Sequence, residues 1–174
     1  MLDRLPRFID PLLYAERARE LGGEIELNQF ERLEDILANQ NGKVIIELSF
    51  YKEKKLASIV GKISANLNLE CQNCLKVMSW DCQTTFMLGL VQSLDEVNRL
   101  PSGYEPLLVK NQEKIALSAI IEEELLLAIP EYPKHGHNCL DIAQYGDKDV
   151  SIDIETKQSD NPFAILETLK KSGD

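Results

Sequence analysis

Residues 43–90, "KVIIELSFYKEKKLASIVGKISANLNLECQNCLKVMSWDCQTTFMLGL", alternate apolar and other side chains through three long runs. Val44, Ile46, Leu48 and Phe50 mark the first run. In the second, Gly61, Ile63, Ala65, Leu67, Leu69 and Cys71 share one face, opposite Lys62, Ser64, Asn66, Asn68 and Glu70. Met78, Trp80, Cys82, Thr84, Phe86, Leu88 and Leu90 share a face of the third. A period of two is that of strands with one buried face, and short joins between such runs make hairpins. The pattern predicts an antiparallel meander with strands near 43–51, 56–71 and 77–91. The first join, with Lys52, Lys54 and Lys55, reads as a charged turn. Its functional alternative is a small phosphate- or protein-contact patch in the company of Arg4, Arg7, Arg17 and Arg19.

The flanking segments change to a helical period. "RFIDP" reads as an extended start ended by Pro11, and "LLYAERARELGGEI" as a short helix stopped by Gly22 and Gly23. "EIEL" reads as a short strand. Asn28 is placed to cap a helix over "QFERLEDILA", whose Phe30, Leu33, Ile36 and Leu37 form one apolar stripe. Past the meander, "SLDEVNRLPSGYEPLLVKNQEK" is a connection with one helical turn and an edge strand at "EPLLV". "IALSAIIEEELLLAIP" is the clearest helix, with Leu117, Ile120, Ile121, Glu124, Leu125, Ala128 and Ile129 at helical spacing and Pro130 as its stop. The run Glu122, Glu123 and Glu124 reads as a solvated face rather than a carboxylate pair for catalysis.

An apolar helix following a one-faced sheet covers it, so the fold expected is α+β: an antiparallel β-meander covered by helices. Residues 1–139 form that single domain, 140–160 an acidic flexible linker, and 161–171 a short C-terminal helix. Asn161 and Pro162 start this last helix, and Phe163, Leu166 and Leu169 line one side. So short a helix is marginal alone in water, so it docks either on its own domain or on a partner.

Composition sets outer limits. A chain of 174 residues, 44% hydrophobic and 28% charged, has the make-up of a soluble domain with a real core. No apolar run approaches the roughly 18 residues that span a bilayer. The start, "MLDRLPRFIDPLLYAE", lacks the basic-then-apolar order of a secretory signal, so a reducing cytoplasm is the expected compartment. The formal net charge of −10 opposes nonspecific attraction to nucleic acid or anionic membrane, because phosphate contacts need cations.

Familiar catalytic motifs are missing. Gly61-Lys62 has Leu56 where a phosphate-cradling loop needs glycine, and both histidines, His135 and His137, lie in one tripeptide. The cysteines remain. Cys71 and Cys74 form a Cys-x-x-Cys at a hairpin tip, where two sulfurs can turn toward one point. Cys139 with His135 or His137 would complete a Cys₃His set, a normal structural zinc site, although the gap between halves exceeds that of ordinary zinc ribbons. A redox pair wants a helix N-terminus in a βαβ unit, and this pair ends a strand. Cys82 shares the face of Trp80 and Phe86 and reads as core.

In order along the chain, "LNLECQNCLKVMSW", "LPSGYEPLLV", "IALSAIIEEELLLAIPEYPKHGHNC" and "NPFAILETLKK" resemble the bacterial YceD family, described as large ribosomal RNA subunit accumulation proteins. The resemblance implies a cytoplasmic, non-enzymatic role in making or keeping 23S ribosomal RNA. Cys71 and Cys74 match family cysteines, as does the segment His135 to Cys139, whereas Cys82 matches none. At a net charge of −10 direct rRNA contact is expected to be weak, so the expected partner is a basic ribosomal protein or a large-subunit assembly intermediate. Two alternatives stand beside it: a dedicated chaperone of one ribosomal protein, and a small zinc- or thiol-dependent enzyme using Cys71, Cys74 and the histidines.

Overall fold

The computed structural model of the chain describes residues 5–140. The chain enters through β1 (Phe8–Ile9) and a short helix, α1 (Pro11–Glu16). Asp10 caps this helix by accepting from the Leu13 N–H at 3.0 Å, and Pro11 takes the first helical position, where its missing N–H is harmless. Next come β2 (Glu20–Glu26), two 3₁₀ turns (Leu27–Gln29 and Glu31–Leu33) and β3 (Leu37–Asn39). The three alternating runs form β4 (Lys43–Glu53), β5 (Leu56–Glu70) and β6 (Val77–Val91). After them follow α2 (Leu94–Val97), β7 (Glu105–Leu108), β8 (Ile115–Ala116) and α3 (Leu117–Ala128).

The main sheet runs β2-β4-β5-β6-β7, and β3 pairs with β5 beside that path. The β4–β5–β6 meander is antiparallel as its periodicity predicts, and it places Leu48 opposite Gly61 and Gly61 opposite Phe86. The face expected to be buried is the buried one. Val44, Ile46, Leu48, Phe50, Ile63, Leu67, Cys82 and Phe86 lie in the core, while Met87 points outward. Trp80 is half-buried against the same cluster. Helix α3 adds Leu117, Ile120, Ile121 and Leu125 to this core and ends at Ala128, with Ile129 as its cap before Pro130. The sheet is open and mostly strand with a few helices, an α+β fold. The lysine join is the tight turn expected, with Lys54 at φ 55° and Lys52 paired to Glu16 at 3.1 Å.

Several local expectations give way to tertiary pairing. Pro11 begins α1 rather than ending the extended start, and α1 itself stops at Glu16, with Ala18 in the left-handed region at φ 45°. Gly22 and Gly23 are not its stop; they lie inside β2, paired with Glu47 and Ile46. A Cβ at Gly23 would come within 2.8 Å of the Leu5 side chain, so glycine here serves a close approach. The helix expected after Asn28 is replaced by the 3₁₀ turns and β3. Strand β5 extends past the end of β4 and leaves a free edge, which Leu37 takes by pairing with Leu69. Phe30, Leu33 and Leu37 are still buried, but Ile36 is exposed. The edge strand at "EPLLV" forms as β7 and runs parallel to β6. Glu124 leaves the expected solvated face: only 7% of it is exposed. Arg4, the linker from 141 to 160 and the helix expected at 161–171 lie outside the described residues.

Two predictions follow from this packing. A Cβ at Gly61 would stand 2.1 Å from the Phe86 ring, which closes over the glycine. Gly61→Ala should therefore destabilise the fold by about 1–3 kcal/mol, the usual cost of overpacking, as read by urea unfolding. Wild-type stability in that variant would refute the contact. Second, burial, reinforced by the charges of Glu105 and Glu123, pushes the Glu124 carboxyl up to about 7. The folded chain thus holds this proton more tightly than the unfolded chain. The site's contribution is complete below the ordinary carboxylate range and is lost as pH rises through about 7. Glu124→Gln should match the wild type near about pH 4 and exceed its stability at about pH 8 by roughly 1–3 kcal/mol. Equal unfolding curves at the higher pH would contradict this.

Candidate metal centre

The far end of the β5–β6 hairpin closes through a knuckle. The Leu75 N–H donates to the Cys71 carbonyl at 2.8 Å and the Cys71 N–H to the Lys76 carbonyl at 3.0 Å. Leu75 takes the left-handed conformation, φ 57°, that so tight a return requires. This places the thiols of Cys71 and Cys74 on one side of the tip. The other half of the site arrives after α3. Pro130 ends the helical path, and the following segment crosses the tip, held by a 2.9 Å bond from the Gln72 N–H to the Pro133 carbonyl.

The segment brings its ligands into register with the knuckle. Cys71 Sγ lies 3.7 Å from Cys139 Sγ, and Cys74 Sγ lies 3.5 Å from His135 Nδ1. All four ligand atoms fall within 4.8 Å of one another. With Zn–S bonds of ~2.3 Å, a tetrahedron has S···S edges of about 3.8 Å, so these separations are those of ligands around one small cation. Of the two histidines, His135 enters the cluster; His137 lies beside it, its ring tilted 44° to that of His135 with centroids 4.9 Å apart. Cys71 is fully buried, and Cys74, His135 and Cys139 are half-buried. Cys82 stands apart in the core, where burial raises its thiol pKa.

The electrostatics of the donor set fit a cation. Burial alone would push the Cys71 thiol up, but the backbone N–H groups of Cys74, His135 and Asn73 and the Cys139 thiol together bring it down to about 5. The opposite holds for Cys139, which burial and the neighbouring Cys71 and Cys74 sulfurs push up to about 11. One thiolate is therefore prepared by the fold, while crowding several without a positive charge is unfavourable. A divalent ion supplies that charge, and thiolate is the form that binds metal. These four residues could hold a metal ion.

Comparison with known proteins gives the chain's relationships. The family description "Large ribosomal RNA subunit accumulation protein YceD" matches residues 59–170, a span that holds all four cluster residues. The chain is 31% identical over 169 residues to the "Large ribosomal RNA subunit accumulation protein YceD" of Haemophilus influenzae, covering 97% of each chain. No solved structure matches the chain significantly.

The ligand geometry is open to direct test by metal analysis of protein purified in zinc. The expected content is one ion per chain in the wild type and in His137→Ala, and a large loss in Cys139→Ser and His135→Ala. Since structural zinc contributes to folding itself, chelation should lower unfolding stability by several kcal/mol, on the order of 3 or more. Equal metal content in all four proteins would show that the cluster is not the ligand set.

Proposed function

The chain belongs to the YceD family of large ribosomal RNA subunit accumulation proteins, and from that premise we propose that it is a non-enzymatic factor of ribosome biogenesis, needed for the 23S rRNA of the large subunit to be made, processed or retained. The observation that carries this reading is the likeness to the Haemophilus influenzae protein along 97% of both chains. The cysteine cluster serves as a structural zinc site: Cys71, Cys74, His135 and Cys139 supply four protein ligands, the number typical of structural rather than catalytic zinc. Bound there, zinc ties the hairpin tip to the segment after α3 and does no chemistry on a substrate.

Charge favours action through protein. The chain carries a formal −10, and each phosphate contact would require a lysine or arginine against that background. Ribosomal proteins of basic character complement such a surface, which also speeds their encounter. The factor accordingly works in the cytoplasm on a basic ribosomal protein or on an assembly intermediate that carries one. Among the described residues no helix is long and apolar enough to cross a membrane.

Depleting the protein in its own host and measuring both ribosomal RNAs tests the reading. Large-subunit rRNA should fall relative to small-subunit rRNA, and the tagged protein should retain large-subunit proteins after nuclease treatment. An unchanged rRNA ratio would overturn the function. Capture abolished by nuclease, with steep salt dependence of binding to naked rRNA, would replace the protein partner with RNA.

A further inference from the structure

A groove of about 310 Å³ runs between β7 and α3, away from the cysteine cluster. Its walls are Leu88, Leu107, Ile120 and Leu127, and its acidic groups include Glu105 and Glu124. Leu127 is 66% exposed, a large apolar side chain left in water on an otherwise core-forming helix. Glu124 lies on the same stripe of α3, spaced four residues after Ile120 and three before Leu127. It is 7% exposed, yet among the described residues it takes part in none of the side-chain hydrogen bonds or ion pairs. The guanidinium of Arg32, near this helix, pairs with Glu123, and its backbone N–H donates to Glu122. The charged groups that face Glu124, Glu105 from β7 and Glu123 from α3, are both negative.

Glu105, Glu123 and Glu124 line one small groove, and a cation set among these carboxyls would relieve their mutual repulsion. We propose that this groove is the docking site for a basic segment of a protein partner, which seats an apolar side chain against Leu107 and Leu127 and sets a lysine or arginine on Glu124. The occupant follows from charge complementarity together with apolar walls. Phosphate-bearing partners would be repelled by the carboxylates. A second copy of a chain at net −10 brings the same sign of charge. A bare hard cation would want six or more oxygens, which walls of leucine and isoleucine do not provide. Strand β7 is also the last strand of its sheet, so an extended segment can run along an edge with free backbone groups, and Pro106 sits where an edge strand tolerates proline. This inference rests on the proposed partnership with a basic ribosomal protein and locates it on the chain.

The test uses the full chain with a photo-crosslinking benzoyl-phenylalanine at position 127, or at position 45 as a control. Ile45 is likewise exposed but lies on β4. The probe is the RNA-free protein extracted from large ribosomal subunits. Position 127 should crosslink to a lysine- or arginine-rich segment, and position 45 should not. In the unlabelled chain, Glu124→Gln should weaken retention of the same protein by about tenfold or more, and Glu47→Gln, on the exposed face of β4, by little. Glu124→Gln removes a buried charge and keeps its shape, so the variant should remain folded. Crosslinks at 45 but not 127, or equal retention by the Glu124 and Glu47 variants, would overturn the groove and leave the partnership standing. Crosslinks from 127 to a second copy of the chain would overturn it in favour of self-association. Retention of no large-subunit protein by the unlabelled wild type would overturn both.

Discussion

The fold depends on the hydrogen bonding of β5, a strand of fifteen residues that must be satisfied on both sides along its whole length. On one side β6 matches it residue for residue, from Ala57 with Leu90 to Glu70 with Val77. On the other, β4 runs out when Val44 meets Ala65, and β3 takes up the remaining edge at Asn68 and Leu69. This difference in strand length explains two features at once. It recruits residues 37–39 away from the helix their side-chain spacing suggests, and it carries the β5–β6 hairpin past β4 to a tip that holds Cys71 and Cys74.

How much of this was legible follows from which signals are local. The alternation across 43–90 sets strand type and buried face together, since a slip of one residue would turn Ile63, Leu67 and Phe86 outward. Helix α3 was equally clear, because its stripe extends over three turns and ends at Pro130. From Leu12 to Asn39 the short helix and the strand at 24–26 form, but the helix expected after Asn28 does not, because its apolar residues fit more than one backbone path. Phe30, Leu33 and Leu37 reach the core from 3₁₀ turns and a short strand as well as they would from a helix. Gly22 and Gly23 look like a helix stop, but their role, room for Leu5, comes from a residue distant in sequence.

The site was legible to the same degree. Cys-x-x-Cys at a hairpin tip is a local pattern, and the Cys₃His composition narrows the second half to a few residues. The choice of His135 depends on how an irregular segment crosses the tip, which the Gln72–Pro133 hydrogen bond fixes and no periodicity records. Glu124 carries two signals that conflict: it occupies the apolar stripe of α3 between Ile120 and Leu127, yet belongs to a run of three glutamates. Three consecutive glutamates read as one solvated face because composition is averaged over them, whereas a helix sends each in a different direction.

Two groups of acids therefore stand in different parts of one domain, the thiols of the hairpin tip and the carboxyls of the groove. At the hairpin tip the acids are thiols, soft and tetrahedrally arranged, and the cation that suits them is a small metal ion. At the groove the acids are carboxyls set among apolar walls, and the cation that suits them is a side chain bringing its own hydrocarbon stem. Helix α3 bears Glu124, and the chain leaving that helix supplies His135 and Cys139. Fixing the segment after α3 to the hairpin tip limits how far the C-terminal end of the helix can move from the sheet. Leu127, the exposed wall of the groove, lies in that last turn. A structural metal at the tip would thus hold the groove open at a constant width without touching its occupant. Preorganisation of this kind lowers the entropy that docking must overcome.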